Sequence, residues 1–250
     1  NNNYDFMEML SEMLGELNAS HTGARYRPNN ETGDQTAALG LFFDNAHQGD
    51  GLKVAEVMAK SPLDNSDSKV KAGTIIEKID GEPISAKRNH FMLLNRKAGK
   101  KVLLSLYDPE SGERWEETTK PISWGAQNQL LYKRWVENCR AMVDELSGGK
   151  IGYVHVRGMN DASYRVVIEE VLGKNANKEA LVVDTRFNGG GWLHDNLVTF
   201  LDGKKYITFM PRGQNLGGEP QGKWKKPSIV VMSESNYSDA HMFPFAYKEL

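Results

Sequence analysis

The sequence is short of cysteine, of long apolar stretches and of net charge. Cys139 is the only cysteine, which excludes an internal disulfide framework and a metal cluster built on several thiolates. No apolar run approaches the length that a membrane span needs. The formal net charge is −2, so no general attraction to nucleic acid or to a membrane surface is expected. No group of His, Asp and Glu has the spacing of a zinc site, and no pattern indicates a cofactor.

Size and composition are those of an ordinary globular protein. At 250 residues the chain has room for one large domain or two smaller ones. It begins with Asn1 rather than Met, and Leu250 lies inside a predicted helix, so we expect a piece of a longer protein. The compartment stays open, because a single cysteine suits both the cytosol and the periplasm.

An amphipathic helix is predicted over residues 4–17, where apolar side chains recur at helical spacing between acidic ones. Behind it, Ser20 and His21 fall in a small polar turn. A histidine in such a turn is ordinarily a surface or capping residue, so this position alone indicates no chemistry. Residues 29–36 are polar and predict a linker.

Several strands are predicted within residues 36–122. In residues 39–42 a glycine precedes an apolar strand, so consecutive backbone N–H groups can face an anion. Residues 71–81 hold an alternating strand that ends in an Asp-Gly hairpin signal. Residues 39–42 resemble the carboxylate-binding loop of PDZ domains, and residues 71–81 resemble the glycine-containing segment that follows it in that family. The two segments occur in the same order as in PDZ domains. Thr74 stands where the second pattern usually has Asp.

The PDZ resemblance implies a module that adds a peptide strand to a sheet edge and holds its C-terminal carboxylate. It places peptide binding at Leu39, Gly40 and Leu41. The alternative is a PDZ-like module without a peptide ligand, because membership of a fold does not guarantee a function.

Strands and helices alternate in the rest of the chain, which predicts an α/β domain with mostly parallel strands. A helix with an apolar stripe begins near Gln127 and stops at Gly148. The continuous apolar run before Asp184 is typical of a strand that is buried on both faces. The other predicted elements are strands at 151–156 and 229–232, helices at 163–172 and 194–201, and an irregular segment at 203–227.

Ser238 lies between the last predicted strand and a helix. Free backbone N–H groups and the positive end of the helix dipole gather at such a turn, which suits a nucleophile whose product is an oxyanion. The alternative is a plain N-cap, since serine is a usual capping residue.

Gly189, Gly190 and Gly191 also follow a predicted strand, and glycines allow N–H donors to approach a ligand closely. A plain turn would have the same sequence. No P-loop or dinucleotide-binding motif is present.

Five segments in one order resemble the tail-specific protease family of serine peptidases (peptidase family S41), and within it the tricorn-like branch. They are residues 16–23, the PDZ-like segment 36–122, and residues 143–156, 182–191 and 236–240. The resemblance implies an α/β fold, α+β overall, with a crotonase/ClpP-like catalytic domain, an inserted PDZ-like β domain and an N-terminal helical segment. The implied limits are 1–28 for the helical segment, 29–122 for the PDZ-like domain and 123–250 for the catalytic domain.

The same resemblance implies a role for each candidate site residue. Ser238 would be the nucleophile, His21 its general base and Ser20 an accessory serine. The backbone amides of Asp239 and Gly190 would form the oxyanion hole.

Three points about this site stay open at the level of the sequence. Gly189 or Gly191 could supply the glycine amide, and His241, three residues after the serine, is the runner-up base. The glutamate that supports the base in this family lies further beyond the serine than Leu250, so we expect this chain by itself to show weak or no proteolysis.

The implied function is a serine peptidase that cleaves peptides or unfolded protein tails and binds substrate C-termini through its PDZ module. No cofactor, metal, nucleic acid or membrane span is expected. The family implies a cytoplasmic location, with the periplasm open, and allows a homo-oligomer. The alternatives are a catalytically silent peptide-binding protein and a crotonase-like enzyme that acts on an acyl thioester. The PDZ-like segment argues against the thioester enzyme, which has no need of a peptide-tail reader.

Overall fold

The computed structural model describes residues 2–28 and 33–250. Two compact units divide the chain, one up to Gln127 and one from Asn128 to Leu250. Part of the predicted linker, residues 29–32, lies outside the described residues. The predicted limits 1–28, 29–122 and 123–250 stay predictions. Over the described ranges, no helix is both long and apolar enough to cross a membrane.

The N-terminal unit begins with helix α1, Asn3–Gly15, which overlaps the helix predicted at 4–17 but starts and ends earlier. The side chain of Asn2 caps it by accepting hydrogen bonds from the amides of Tyr4 and Asp5. None of the residues of α1 is buried.

Eight short strands form the β part of the N-terminal unit. They are β1 Ala37–Ala38, β2 Leu41–Phe43, β3 Leu52–Val57, β4 Ile75–Ile79, β5 Glu82–Pro83, β6 Val102–Tyr107, β7 Arg114–Thr119 and β8 Ile122–Ser123, with a 3-10 helix at His90–Leu94 between β5 and β6.

These strands form one larger sheet and a small pair. β2, β3, β4, β6 and β7 lie side by side in that antiparallel order, β5 pairs with β4, and β1 pairs separately with β8. The alternation along β6 places Val102 and Leu104 in the core and leaves Leu103 exposed. β2 and β7 are the edge strands of this order.

Five strands and four helices make up the rest of the chain. They are α2 Trp124–Leu146, β9 Ile151–His155, α3 Asp161–Glu169, β10 Ala180–Asp184, α4 His194–Leu201, β11 Ile207–Thr208, β12 Gly218–Glu219, β13 Ser228–Val231 and α5 Asp239–Glu249.

A parallel sheet in the order β13-β10-β9 is the centre of the C-terminal unit. β10 is the middle strand, and its residues Leu181 and Val183 are fully buried on one face. Val182, on the other face, is only partly buried, so the predicted burial on both faces is met on one face only. Leu197 of α4 and Phe243 of α5 complete the same core. The carboxyl ends of β10 and β13 therefore share one edge of the sheet, and the segments of the candidate site leave from that edge.

Two elements differ from the predictions. The helix predicted at 163–172 is α3 followed by a π-helical turn at Glu170–Lys174. The segment predicted as irregular, 203–227, contains the antiparallel pair of β11 and β12. Strands of two residues are too short to show an alternating pattern, so the sequence gives no signal for them.

A buried ion pair fixes the end of β10. Asp184 is fully buried, accepts a hydrogen bond of 2.8 Å from the Tyr153 hydroxyl and pairs with Arg186 at 2.6 Å. A buried carboxylate needs such partners because removing a charge from water is costly. The Arg186 guanidinium also lies over the ring of Trp135 on α2, 5.1 Å from its centroid. The chain therefore leaves β10 in a defined direction.

His155, at the end of β9, also contacts the segment that follows β10. Its Nε2 lies 3.1 Å from the Arg186 carbonyl oxygen, and its Nδ1 lies 2.8 Å from the Tyr132 hydroxyl. A carbonyl oxygen can only accept, so Nε2 carries the proton and Nδ1 accepts from the hydroxyl. Burial lowers the pKa of His155, which keeps the ring neutral.

This arrangement predicts a pH-dependent loss of stability. The folded-state pKa of His155 lies below its unfolded value of about 6.5, so the unfolded chain binds this proton more readily. Stability should therefore be lost as the pH falls from about 6.5 through the folded-state pKa.

The replacement His155→Gln removes this titration. Between about pH 7.5 and about pH 5.5, its free energy of unfolding should fall less than that of the parent, by at most about 1.4 kcal/mol. Urea denaturation at the two pH values measures the difference. An equal fall in both proteins would show that the titration of His155 does not contribute to the pH dependence of stability.

Candidate active site

Ser238 occupies a strained turn between β13 and α5. Its backbone angles are φ 53° and ψ −125°, in a region that costs a non-glycine residue about 1–3 kcal/mol. A strained strand-to-helix turn is the arrangement that exposes a nucleophilic serine above the sheet in other hydrolases. The surroundings hold the strain: the Tyr237 amide donates to the Asn188 carbonyl oxygen at 3.1 Å, and buried Asn236 donates to Thr185 Oγ1 at 2.9 Å.

The structure does not support the plain N-cap interpretation of Ser238. The residue stands at the N-cap position of α5, but its side chain makes no capping hydrogen bond. Within residues 2–28 and 33–250, no hydrogen-bond partner of its hydroxyl is found, and the residue is partly exposed. The hydroxyl is therefore available to a ligand.

Gly190 packs directly against this turn. A Cβ added there would lie 2.6 Å from the Tyr237 carbonyl oxygen, 2.8 Å from Ser238 Cβ and 3.2 Å from the Asp239 amide nitrogen. Its φ of +95° is also unsuited to a side chain. At Gly191, a Cβ would lie 2.0 Å from the Met159 carbonyl oxygen. At both positions the neighbouring backbone leaves no room for a side chain, so glycine is required. A plain surface turn would not make these close contacts.

The candidate oxyanion donors differ in their hydrogen bonding. For the Asp239 amide, no acceptor is found among the residues that the structure describes. The Gly190 amide already donates to Asn188 Oδ1 at 2.9 Å, so a substrate oxygen would have to share or displace that acceptor. The choice between Gly190 and its glycine neighbours as second donor stays a prediction.

The Asp239 carboxylate joins α5 to the start of α4. It is 3% exposed; its Oδ2 accepts hydrogen bonds from the amides of Leu193 and His194, and its Oδ1 pairs with His194 Nδ1. Leu193 is the N-cap residue of α4, but its side chain makes no capping hydrogen bond. The Asp239 carboxylate, which belongs to α5, caps α4 instead. The segment after the glycines and the turn at Ser238 are therefore tied to each other.

Sequence reasoning did not identify the side chains that hold the glycine segment and the turn at Ser238 in place. It assigned no role to the side chains of Asn188, His194, Asn236 and Asp239. Each of these side chains has a partner 32 to 51 residues away in the chain. The only local signal was a run of small hydrogen-bonding side chains beside the glycines and the serine.

Ser20 and His21 lie in an exposed turn after α1, in the N-terminal unit. His21 has a φ of +66°. The turn is fastened by Thr22, whose Oγ1 donates to the Ala19 carbonyl oxygen at 2.7 Å. Ser238, Asp239 and Gly190 belong to the C-terminal unit, and the structure brings these three together. The pairing of His21 and Ser20 with the serine stays a prediction.

His241, the runner-up base, is exposed on the first turn of α5. Its amide donates to the Ser238 carbonyl oxygen at 2.9 Å, but no contact of its ring with the serine hydroxyl is found in the described part of the chain. The structure therefore gives this alternative no support.

The predicted peptide-binding residues lie at the start of edge strand β2. Leu39 and Leu41 are buried in the core of the N-terminal unit. Gly40 has a φ of +70°, and a Cβ there would lie 2.4 Å from Ser61 Cβ. Its amide donates to Gln127 Oε1 at 3.2 Å, so a carboxylate at this loop would have to displace that side chain. An edge strand suits peptide addition, but peptide binding stays a prediction.

Comparison with known proteins agrees with this architecture. Residues 150–250 match the model of peptidase family S41. The chain carries a peptidase family S41 domain. Residues 46–123 match the tricorn protease PDZ domain, a match that starts after Leu41. The S41 domain contains Ser238 and the glycine segment that packs against it.

The similarity extends over the whole chain. Tricorn protease from Thermoplasma acidophilum is 30% identical over 99% of this chain, and tricorn protease homolog 1 from Streptomyces coelicolor is 29% identical over 98% of it. The crystal structure of the tricorn protease superposes with a TM-score of 0.74 at 27% identity, over 100% of this chain and 24% of that one. The predicted family and fold class are confirmed. The chain spans 23% of the length of both curated relatives.

The close packing of Gly190 predicts a steric penalty beyond its backbone conformation. Gly190→Ala should lower the free energy of unfolding by about 1–3 kcal/mol more than Gly148→Ala. Gly148 is a matched control, because it also has a positive φ, +59°, but nothing lies within 4 Å of an added Cβ. Urea denaturation compares the two variants. Equal losses would show that the contact with the turn at Ser238 is absent in solution.

Proposed function

We propose that the protein is a serine peptidase that cleaves peptides or unfolded protein tails through Ser238. The observation that carries the proposal is the strained turn, which presents a serine hydroxyl without a capping bond beside the open Asp239 amide. The S41 domain and the names of the relatives, which are proteases, support the same chemistry.

In the proposed reaction His21 takes the proton of the Ser238 hydroxyl, and the oxygen attacks the carbonyl carbon of the scissile peptide bond. The protonated histidine then gives its proton to the leaving amine, and the peptide C–N bond breaks. Water then attacks the carbonyl carbon of the resulting ester while His21 takes its proton. The histidine returns a proton to the Ser238 oxygen as the ester C–O bond breaks. Ser20 supports the histidine as an accessory group. Both residues are exposed, so their turn must be held in place, and the hydrogen bond from Thr22 to Ala19 holds it.

The negative charge that develops on the carbonyl oxygen needs fixed donors. The Asp239 amide is the first of them, because it is open and lies at the positive end of α5. Gly190 is the proposed second donor, since it packs against the serine. The loss of one such donor costs roughly 3 kcal/mol of transition-state stabilisation.

The PDZ-like β domain would bind the C-terminal end of the substrate along the edge strand β2. The bond from Gly40 to Gln127 favours weak carboxylate binding there, since the ligand must compete for that amide. The alternative, a silent peptide-binding protein, predicts peptide affinity without hydrolysis.

Hydrolysis of fluorogenic peptides by the full-length protein separates these functions. We expect Ser238→Ala to lower kcat at least about 1,000-fold, because the nucleophile is lost. Ser235→Ala is the control: Ser235 lies on the same turn, but its hydroxyl bonds to that of Ser233 at 2.9 Å. The control should keep the parent activity. Peptide binding without any hydrolysis in the parent would favour the silent binding protein instead.

A further inference from the structure

An open cavity of about 510 Å³ lies in the N-terminal unit, between the end of β3 and the ends of β6 and β7. Three lysines and three hydroxyl-bearing residues supply most of its lining, and none of its described lining residues carries a carboxylate. These six residues are Lys60, Lys101 and Lys120, with Ser61, Thr118 and Thr119. We call it the lysine cavity. The predicted peptide-binding residues at 39–41 do not line it.

Two hydroxyls of the lysine cavity are buried without a partner. Ser61 and Thr119 are each 6% exposed. In the described part of the chain, neither Ser61 Oγ nor Thr119 Oγ1 has a hydrogen-bond partner. An unpaired buried polar group costs about 1–3 kcal/mol, so two of them in one cavity indicate a missing acceptor.

The lysines of the cavity are also without counter-charges. Within the described ranges, no ion pair is found for Lys60, Lys101 or Lys120. Other lysines of the same unit do have partners: Lys69 pairs with Glu113 at 2.9 Å and Lys97 with Asp80 at 2.7 Å. The cavity therefore gathers three positive charges for which no ion-pair partner is found among the described residues.

The backbone around Lys60 and Ser61 is fixed. Lys60 has a φ of +63°, and its amide donates to Asp64 Oδ2 at 2.6 Å. The Ser61 amide donates to the Met58 carbonyl oxygen at 3.0 Å. One wall of the cavity is therefore formed before any ligand arrives, which reduces the entropy lost on binding.

We propose that the lysine cavity binds a small, multiply charged oxyanion. The two buried hydroxyls can donate to its oxygens, and the ammonium groups complement its charge. Phosphate and carboxylate groups share this chemistry. The lysine cavity shares no residue with the proposed peptidase site, so the proposal stands whether or not Ser238 is a nucleophile.

Calorimetric titration of the full-length protein with pyrophosphate and with citrate tests the proposal. At constant ionic strength we expect binding of at least one of them, and the tighter ligand identifies the phosphate or the carboxylate source. The double variant Lys101→Met, Lys120→Met should weaken binding at least about tenfold. The control Lys78→Met, Lys87→Met removes two exposed lysines of the same unit that do not line the cavity, and it should bind like the parent.

The pair Ser61→Ala and Thr119→Val tests the hydroxyls separately. Each variant should be at least as stable as the parent without ligand, because an unpaired group is removed, yet should bind the anion several-fold more weakly. Thermal unfolding without ligand checks that both variants fold. The proposal is overturned if neither anion binds at millimolar concentration, or if the control double variant weakens binding as much as the cavity variant.

Discussion

The Asp239 carboxylate is the contact on which the geometry of the candidate site depends. It is almost fully buried, and a buried carboxylate is tolerated only where donors surround it. Its donors are the amides of Leu193 and His194 and the His194 ring, all on the segment that follows the glycines. The two halves of the proposed oxyanion hole come from chain segments about 50 residues apart in sequence, and this carboxylate links them.

The contacts at the end of β10 also support the geometry of the candidate site. Asp184, Arg186 and His155 set the direction in which the chain leaves the sheet, and Asn188 then bonds to both β9 and the turn at Ser238. The strain at Ser238 is thus held by contacts on two sides. A serine that was merely a helix cap would need neither the strain nor the supporting contacts.

The sequence predicted the strand-to-helix turn at Ser238, the glycine segment and the PDZ-like β domain, because each has a local pattern. Ser238 lies between a strand and a helix, and the glycines follow an apolar run. It could not predict that Ser238 has positive φ, since that angle is imposed by partners such as Asn188 across the fold. It also missed Gln127 as the acceptor for Gly40 and His194 as the partner of Asp239, because spacing along the chain does not encode contacts between distant segments.

The reactivity of Ser238 tests the central claim most directly. The full-length protein would be treated with a fluorophosphonate, and the modified peptide located by mass spectrometry. We expect a single phosphonylated residue, Ser238, because it combines a strained turn with the adjacent open amide of Asp239. Phosphonylation at another residue, or equal labelling of the Ser238→Ala variant, would contradict it.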